Sequence, residues 1–303
     1  MKAKKLTENR VFRKKLLSLV LPITFQQFMV AVVSASDALM VGVIGQDLLS
    51  AVSLASQITF VYNLFIAALT IGTSMFAAQY WGKGDRDAIE RILAFVLRSS
   101  MGVSFVFWAG TTFAPERLMK IFTADSVLIG YGAEYLRIVG VIYLFCGVSQ
   151  IYLCIMKNSG YAGKSMLIGS AAALLNIVLN AVLIYGLLGA PRMEASGAAA
   201  ATAVSRGIEL MWSLAEMGRK DHIKIRMKYV IQPDHALHRE FWRYTLPVLG
   251  NELVWGGGFT MYSVIMGHLG TDAVAANSIA NIVKNLIASL AMGIGNGGAI
   301  IVG

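Results

Sequence analysis

Gly42-Val-Ile-Gly45-Gln-Asp47-Leu-Leu-Ser-Ala51-Val-Ser53-Leu-Ala55 returns 225 positions later as Gly267-His-Leu-Gly270-Thr-Asp272-Ala-Val-Ala-Ala276-Asn-Ser278-Ile-Ala280, six identities in 14 positions. The correspondence extends without a gap over residues 21–78 and 246–303, where Leu21-Pro22 matches Leu246-Pro247 and Gly72 matches Gly297. Each copy holds two long apolar runs joined by the quoted stretch, so the chain reads as a duplicated membrane protein. A repeat of this length implies an intact protein of about 450 residues, with roughly a third lying beyond Gly303.

Composition agrees. Hydrophobic residues make up 56% of the 303 and charged residues 14%, and several apolar runs exceed the roughly 20 residues that cross a hydrocarbon core of about 30 Å. The expected architecture is all-α and polytopic, with spans at 16–44, 51–79, 92–115, 134–156, 166–189, 197–217, 244–269 and 273–303. The first run is too long for a signal peptide and is interrupted by Gln26, Gln27 and Asp37, so it is expected to stay as a span. Residues 116–133 mix apolar and charged side chains and read as a short helix lying at the outer interface.

Alternate connections divide Lys and Arg unequally. The N-terminal tail, 80–91, 157–165 and 218–243 hold 19, whereas Arg117, Lys120 and Arg192 are the three on the other side. This asymmetry places the N terminus in the cytoplasm of a multi-pass cell-membrane protein. It also accounts for the net charge of +9, so no nucleic-acid partner is implied; the bilayer is the expected surroundings. Residues 1–217 form a six-helix lobe, 218–243 a cytoplasmic bridge, and 244–303 the first two helices of a second lobe. Six spans before the second copy give both copies one orientation, related by an axis along the membrane normal.

Asp37 stands about 12 Å below the turn at Gly45 in an otherwise apolar run, where a charge costs at least about 2.5 kcal/mol. Such a carboxylate can bind a cation or a proton. Asn176 and Asn180, four apart, face one side of the fifth span and can serve Asp37 as partners, with polar glue between helices as the alternative. Gln150 is a further candidate for the same cavity. Pro22 removes a backbone hydrogen bond from the Asp37 helix and allows a bend, although Pro247 at the repeated position fits a purely architectural role equally well. In the second copy, Glu252 and Lys284 are the candidates; their depths, about 27 and 16 Å from the outer ends, argue against a direct ion pair. Cys146 and Cys154 are eight apart on one helix, too far for a disulfide. The histidines at 222, 235, 238 and 268 lack zinc-site spacing and read as solvated. The glycine clusters at 256–258 and 293–298 lack the Gly-Lys-Ser/Thr of a nucleotide loop. No cofactor is expected from these residues.

Pro22 followed by Asp37, Asp37-x-x-Met-Val-Gly42, Gln79-Tyr-Trp-Gly-Lys-Gly-Asp85, Asn176-x-x-x-Asn180 with Gly186, Gly189 and Pro191 behind it, and Gly197-Ala-Ala-Ala-Ala-Thr202 follow one another in order. In these motifs the chain resembles the multidrug and toxic compound extrusion (MATE) transporters. The resemblance implies twelve helices in two six-helix lobes that export organic, often cationic, compounds in exchange for protons or sodium ions. It makes Asp37 the ion-coupling acid, with sodium there the one metal implied, and links Pro22 to bending of the first span. Some members carry an aspartate where this chain has Asn180, which weighs against a two-carboxylate proton site. Many carry an acid in span seven one turn beyond Glu252, where Trp255 stands here; Glu252 either takes that role or is a wetted residue near the boundary. A flippase for lipid-linked saccharides would need a more basic cavity, and a membrane-embedded transferase would need clustered Asp or His at a membrane face.

Overall fold

A computed structural model describes residues 2–302, except Ala190, Lys220, Gln232 and Pro233. The side chains of the N-terminal basic tail and of His235 lie outside the described set, as does Gly303. Among the described residues there are ten α-helices: α1 Lys2–Ile44, α2 Gln46–Lys83, α3 Arg86–Phe113, α4 Pro115–Met119, α5 Ser126–Asn158, α6 Ala162–Tyr185, α7 Glu194–Met217, α8 Met227–Ile231, α9 His235–Leu269 and α10 Thr271–Val302. The eight long ones correspond in order to the eight expected spans. Six of them are long and apolar enough to cross a membrane on those grounds alone. The other two, α7 and α9, are less apolar along their length, and in α7 the charges Arg206 and Glu209 pair with each other.

Glycine and aspartate set the sharpest connection. Gly84 ends α2 in the left-handed region (φ 75°), a conformation that costs a residue without Cβ little. Asp85 then accepts from Ala88 N at 3.0 Å and starts α3. Asp125 starts α5 in the same way, accepting from Val127 N at 2.8 Å. The helix it starts begins eight residues before the expected start of the fourth span, so the stretch 116–133 is not one interfacial helix. Its first part is the single turn α4 and its last part the opening of α5. The apolar residues explain the difference: Met119, Phe122 and Leu128 are buried against Ala51 and Leu54 of α2, which removes them from any membrane surface.

Of the first six long helices, α5 is the most buried. Its Leu136, Tyr143, Ile151 and Tyr152 are essentially inaccessible, and it packs against α2, α3 and α7, while α6 bridges α7 and α1. The repeat copies then pair crosswise, α1 along α10 and α2 along α9. Ser53 Oγ meets Ser278 Oγ, its own repeat equivalent, at 2.5 Å. Gly72 lies against Thr245 while Gly297 lies against Val20, and these pairs are also related by the 225 offset. Equivalent residues making equivalent contacts define a local pseudo-two-fold between the copies.

The segment joining the copies is no free loop. It is helical in α8 and again from His235, and it is fastened to α3: Arg226 Nε lies 2.5 Å from Glu90 Oε2, Tyr229 donates to Asp87, and Arg91 reaches Asp234 at 3.2 Å. Two of the histidines are consequently packed instead of solvated. His222 is buried, stacked on Tyr161 with its Nε2 3.2 Å from Lys164 Nζ, and His238 stacks on Phe95. His268 stays exposed, its ring nitrogen 2.9 Å from the Val264 carbonyl oxygen.

Candidate functional site

Asp37, Asn176 and Asn180 come together between α1 and α6. Asn180 Nδ2 donates to Asp37 Oδ1 and to Asn176 Oδ1 at 3.1 Å. Turning the Asn176 amide over lets its nitrogen donate to Asp37 Oδ1 at 3.3 Å and its oxygen accept from Thr202 Oγ1 at 3.0 Å; which orientation holds is decided by the network, not by shape. Both asparagines are buried, and Asn180 Oδ1 has no hydrogen-bond partner. A buried carbonyl oxygen beside a carboxylate is unsatisfied until a cation or a donor arrives. The oxygen donors here (Asp37, Asn180, Asn176, Thr202) suit a hard monovalent ion or a proton and no thiophilic metal.

Beside this set lies a polar cavity of about 60 Å³ lined by Gln26, Gln27, Val30 and Val33 of α1, Gln150 and Lys157 of α5, Gly169, Ala172, Ala173 and Asn176 of α6, and Thr202, Ser205, Arg206 and Glu209 of α7. Asn176 and Thr202 belong to both the cavity wall and the Asp37 network. On the far wall Glu209, 1% exposed, is fully engaged: Oε1 accepts from Ser149 Oγ at 2.8 Å and Gln150 Nε2 at 3.1 Å, and Oε2 pairs with Arg206 Nη1 at 2.7 Å. An ion pair so deep is tolerated because each carboxylate oxygen has a donor.

Gln150 therefore lines the same cavity as Asn176, but its amide serves Glu209 and not Asp37. Pro22 lies inside an unbroken α1, 15 residues or about 22 Å from Asp37. Glu252 and Lys284 do not meet. Lys284 is exposed, with its ammonium over the Phe259 ring at 4.7 Å, and Glu252 makes no hydrogen bond or ion pair among the described residues. Glu209 and Lys157 were not among the sequence candidates. Arg206-x-x-Glu209 inside an apolar run was the available signal, since opposite charges three apart on a helix meet. Lys157, counted from the sequence with a connecting loop, sits in the last turn of α5 and faces the cavity.

Eight long, mostly apolar helices packed as a duplicated bundle, with charged side chains turned inward around a cavity, define a multi-pass membrane protein of the transporter class. The MatE family model matches residues 22–182, and the chain belongs to that family of transporters. Among curated relatives, it is 21% identical over 95% of its length to the uncharacterized transporter YisQ of Bacillus subtilis, and 23% identical over 93% to a probable multidrug resistance protein NorM of Thermotoga maritima. It spans 63% and 61% of those two proteins. Among solved structures, an outward-facing multidrug resistance MATE transporter superposes with a TM-score of 0.81 at 20% identity, over 95% of this chain and 63% of that one.

Proposed function

We propose that the intact protein is a secondary active exporter of organic, often cationic, compounds, driven by antiport with protons or sodium ions. The observation that carries this reading is the Asp37 carboxylate, set in an apolar helix and joined to two buried asparagines, one of which keeps an unpartnered carbonyl oxygen. A carboxylate so placed exchanges a bound cation or proton with the substrate's charge at modest cost, because either occupant relieves its desolvation. Residues 1–217 form the first lobe, 218–243 the cytoplasmic bridge and 244–303 the start of the second lobe. The lobes alternate access around the space between them, and the ion falling down its gradient supplies the work. Gln150 and the cavity wall contribute to substrate surroundings, Pro22 to flexing of the first span, and Glu252 and Lys284 line the second lobe's share.

Ethidium efflux from cells expressing the full-length protein tests this, with proton and sodium gradients collapsed separately. Wild-type efflux that stops on loss of one gradient, and that Asp37→Asn abolishes, supports antiport through Asp37 and identifies the ion. Absence of efflux in the wild type shifts the reading toward a lipid-linked saccharide flippase.

A further inference from the structure

The cavity beside Asp37 is one stretch of a longer polar face inside the first lobe. Thr202, Ser205, Glu209, Ser213 and Glu216 recur at three- and four-residue intervals, so they lie along one side of α7. The last four are at most 5% exposed, whereas Val204, Ile208 and Met211 on the other sides of the helix are exposed. Contacts fix the level of each. Asn176, a member of the Asp37 network, meets Thr202 Oγ1 at 3.0 Å. Glu209, about 10 Å further along α7, meets Ser149 and Gln150 of α5. Lys157 stands about another 10 Å beyond Gln150 along α5, and these residues of α5, α6 and α7, Ser149 excepted, line the one cavity. Glu216 ends the face, paired at 3.2 Å with each of Lys164 and Arg219, whose side chains reach the surface beside the 218–243 bridge.

We infer that the coupling ion passes between Asp37 and the bridge side through the interior of the first lobe, along this face of α7, and not through the space between the lobes. Three buried oxygens along the way, Asn180 Oδ1, Gln26 Oε1 and Ser213 Oγ, have no hydrogen-bond partner among the described residues. A polar face kept for helix packing alone would pair such atoms with one another; unpaired, they are satisfied by water or by a cation. The cavity, of about 60 Å³, has room for a few waters and for no organic compound, so it keeps the ion apart from the exported molecule. Hydroxyl, carboxylate and water oxygens serve a hydrated proton and a sodium ion alike. In their charged forms Lys157 and Arg206 are balanced by Glu209 and Asp37, so no net charge traps an ion on the way. This route rests on the exporter reading and on the placing of 218–243 in the cytoplasm.

Two measurements on the full-length protein test the route. In proteoliposomes, the ion movement that accompanies ethidium transport is read on the bridge side with a pH dye and, separately, with a sodium tracer. Ser213→Val removes the hydroxyl but leaves Asp37 and the space between the lobes intact. It is expected to slow ion movement about tenfold or more, through the loss of one hydrogen bond to the passing ion and its water, with the ethidium Kd unchanged. Ser213→Thr is expected to keep the wild-type rate. In vesicles with the bridge side facing the bath, Ser205→Cys, in a background free of other cysteines, is expected to react with silver ion at one rate with and without saturating ethidium. Wild-type ion movement in a Ser213→Val protein that binds ethidium overturns the inference. So does a Ser205→Cys thiol that is unreactive or that ethidium protects. Where Ser213→Val fails to fold, the thiol result decides alone. A wild type that neither binds nor moves ethidium counts against the exporter reading; silver reactivity from the bridge side still reports the route.

Discussion

His222 shows how a single side chain in the connecting segment ties stability to pH. Burial and the nearby Lys164 ammonium hold its pKa below the ordinary 6.5, against the smaller opposing effect of Glu216; Arg219 and Asp221 are the other charges near it. Folded protein therefore keeps the ring neutral where the unfolded chain takes up a proton. Stability is flat above about 6.5 and falls as pH drops below it toward the folded value, because there the unfolded state binds more protons. Melting of the full-length protein in detergent should show a lower Tm near pH 5.5 than near pH 7.5, with a smaller drop in His222→Gln. Equal drops in the two proteins would remove His222 from the account. At this scale the sequence was most informative for Asp37, Asn176 and Asn180, whose spacing put them on facing helices. It was least informative for Glu209: Arg206 three residues earlier marks the ion pair, but the donors Ser149 and Gln150 come from another helix and no spacing in the sequence brings them there.

Helix contacts between the repeat copies depend on small residues at defined points. A Cβ on Gly297 would stand 2.8 Å from Val20 Cα, backbone that cannot swing aside, whereas a Cβ on Gly295 meets nothing within 4 Å. Gly297→Ala is therefore expected to destabilise the α1–α10 contact by about 1–3 kcal/mol, and Gly295→Ala to be neutral or slightly stabilising through helix propensity. Denaturant titration of the two variants side by side checks the difference; indistinguishable midpoints would contradict the packing described. The eight long helices were legible from apolar run length, since lipid demands that length whatever the tertiary contacts. Their ends were not. The start of α5 was displaced by eight residues because buried apolar residues in 116–133 look the same in sequence as membrane-facing ones, and the fastening of the bridge was not legible because its charges meet Asp87, Glu90 and Arg91 of a helix distant in sequence.

For the whole molecule, the repeat is both a sequence relation and a spatial one. Ser53 and Ser278 occupy equivalent positions and touch, so Ser53→Cys with Ser278→Cys, in a background lacking Cys146 and Cys154, should crosslink within one chain under mild oxidation. A mass measurement after proteolysis would show residues 53 and 278 joined; persistently free thiols would contradict the pseudo-two-fold. The local symmetry was foreseeable from the 225 offset, but the crosswise pairing of α1 with α10 and α2 with α9 was not, because identities fix which residues correspond and say nothing of which ones meet. The central claim is that Asp37, braced by Asn176 and Asn180, binds the coupling ion and the substrate's charge in mutually exclusive fashion. Its most direct test is the ethidium affinity of the purified full-length protein, measured across pH and sodium concentration for wild type and Asp37→Asn. The account predicts a wild-type Kd that rises with proton or sodium concentration and an Asp37→Asn Kd that does not respond to either. The same ion dependence in both proteins would contradict it.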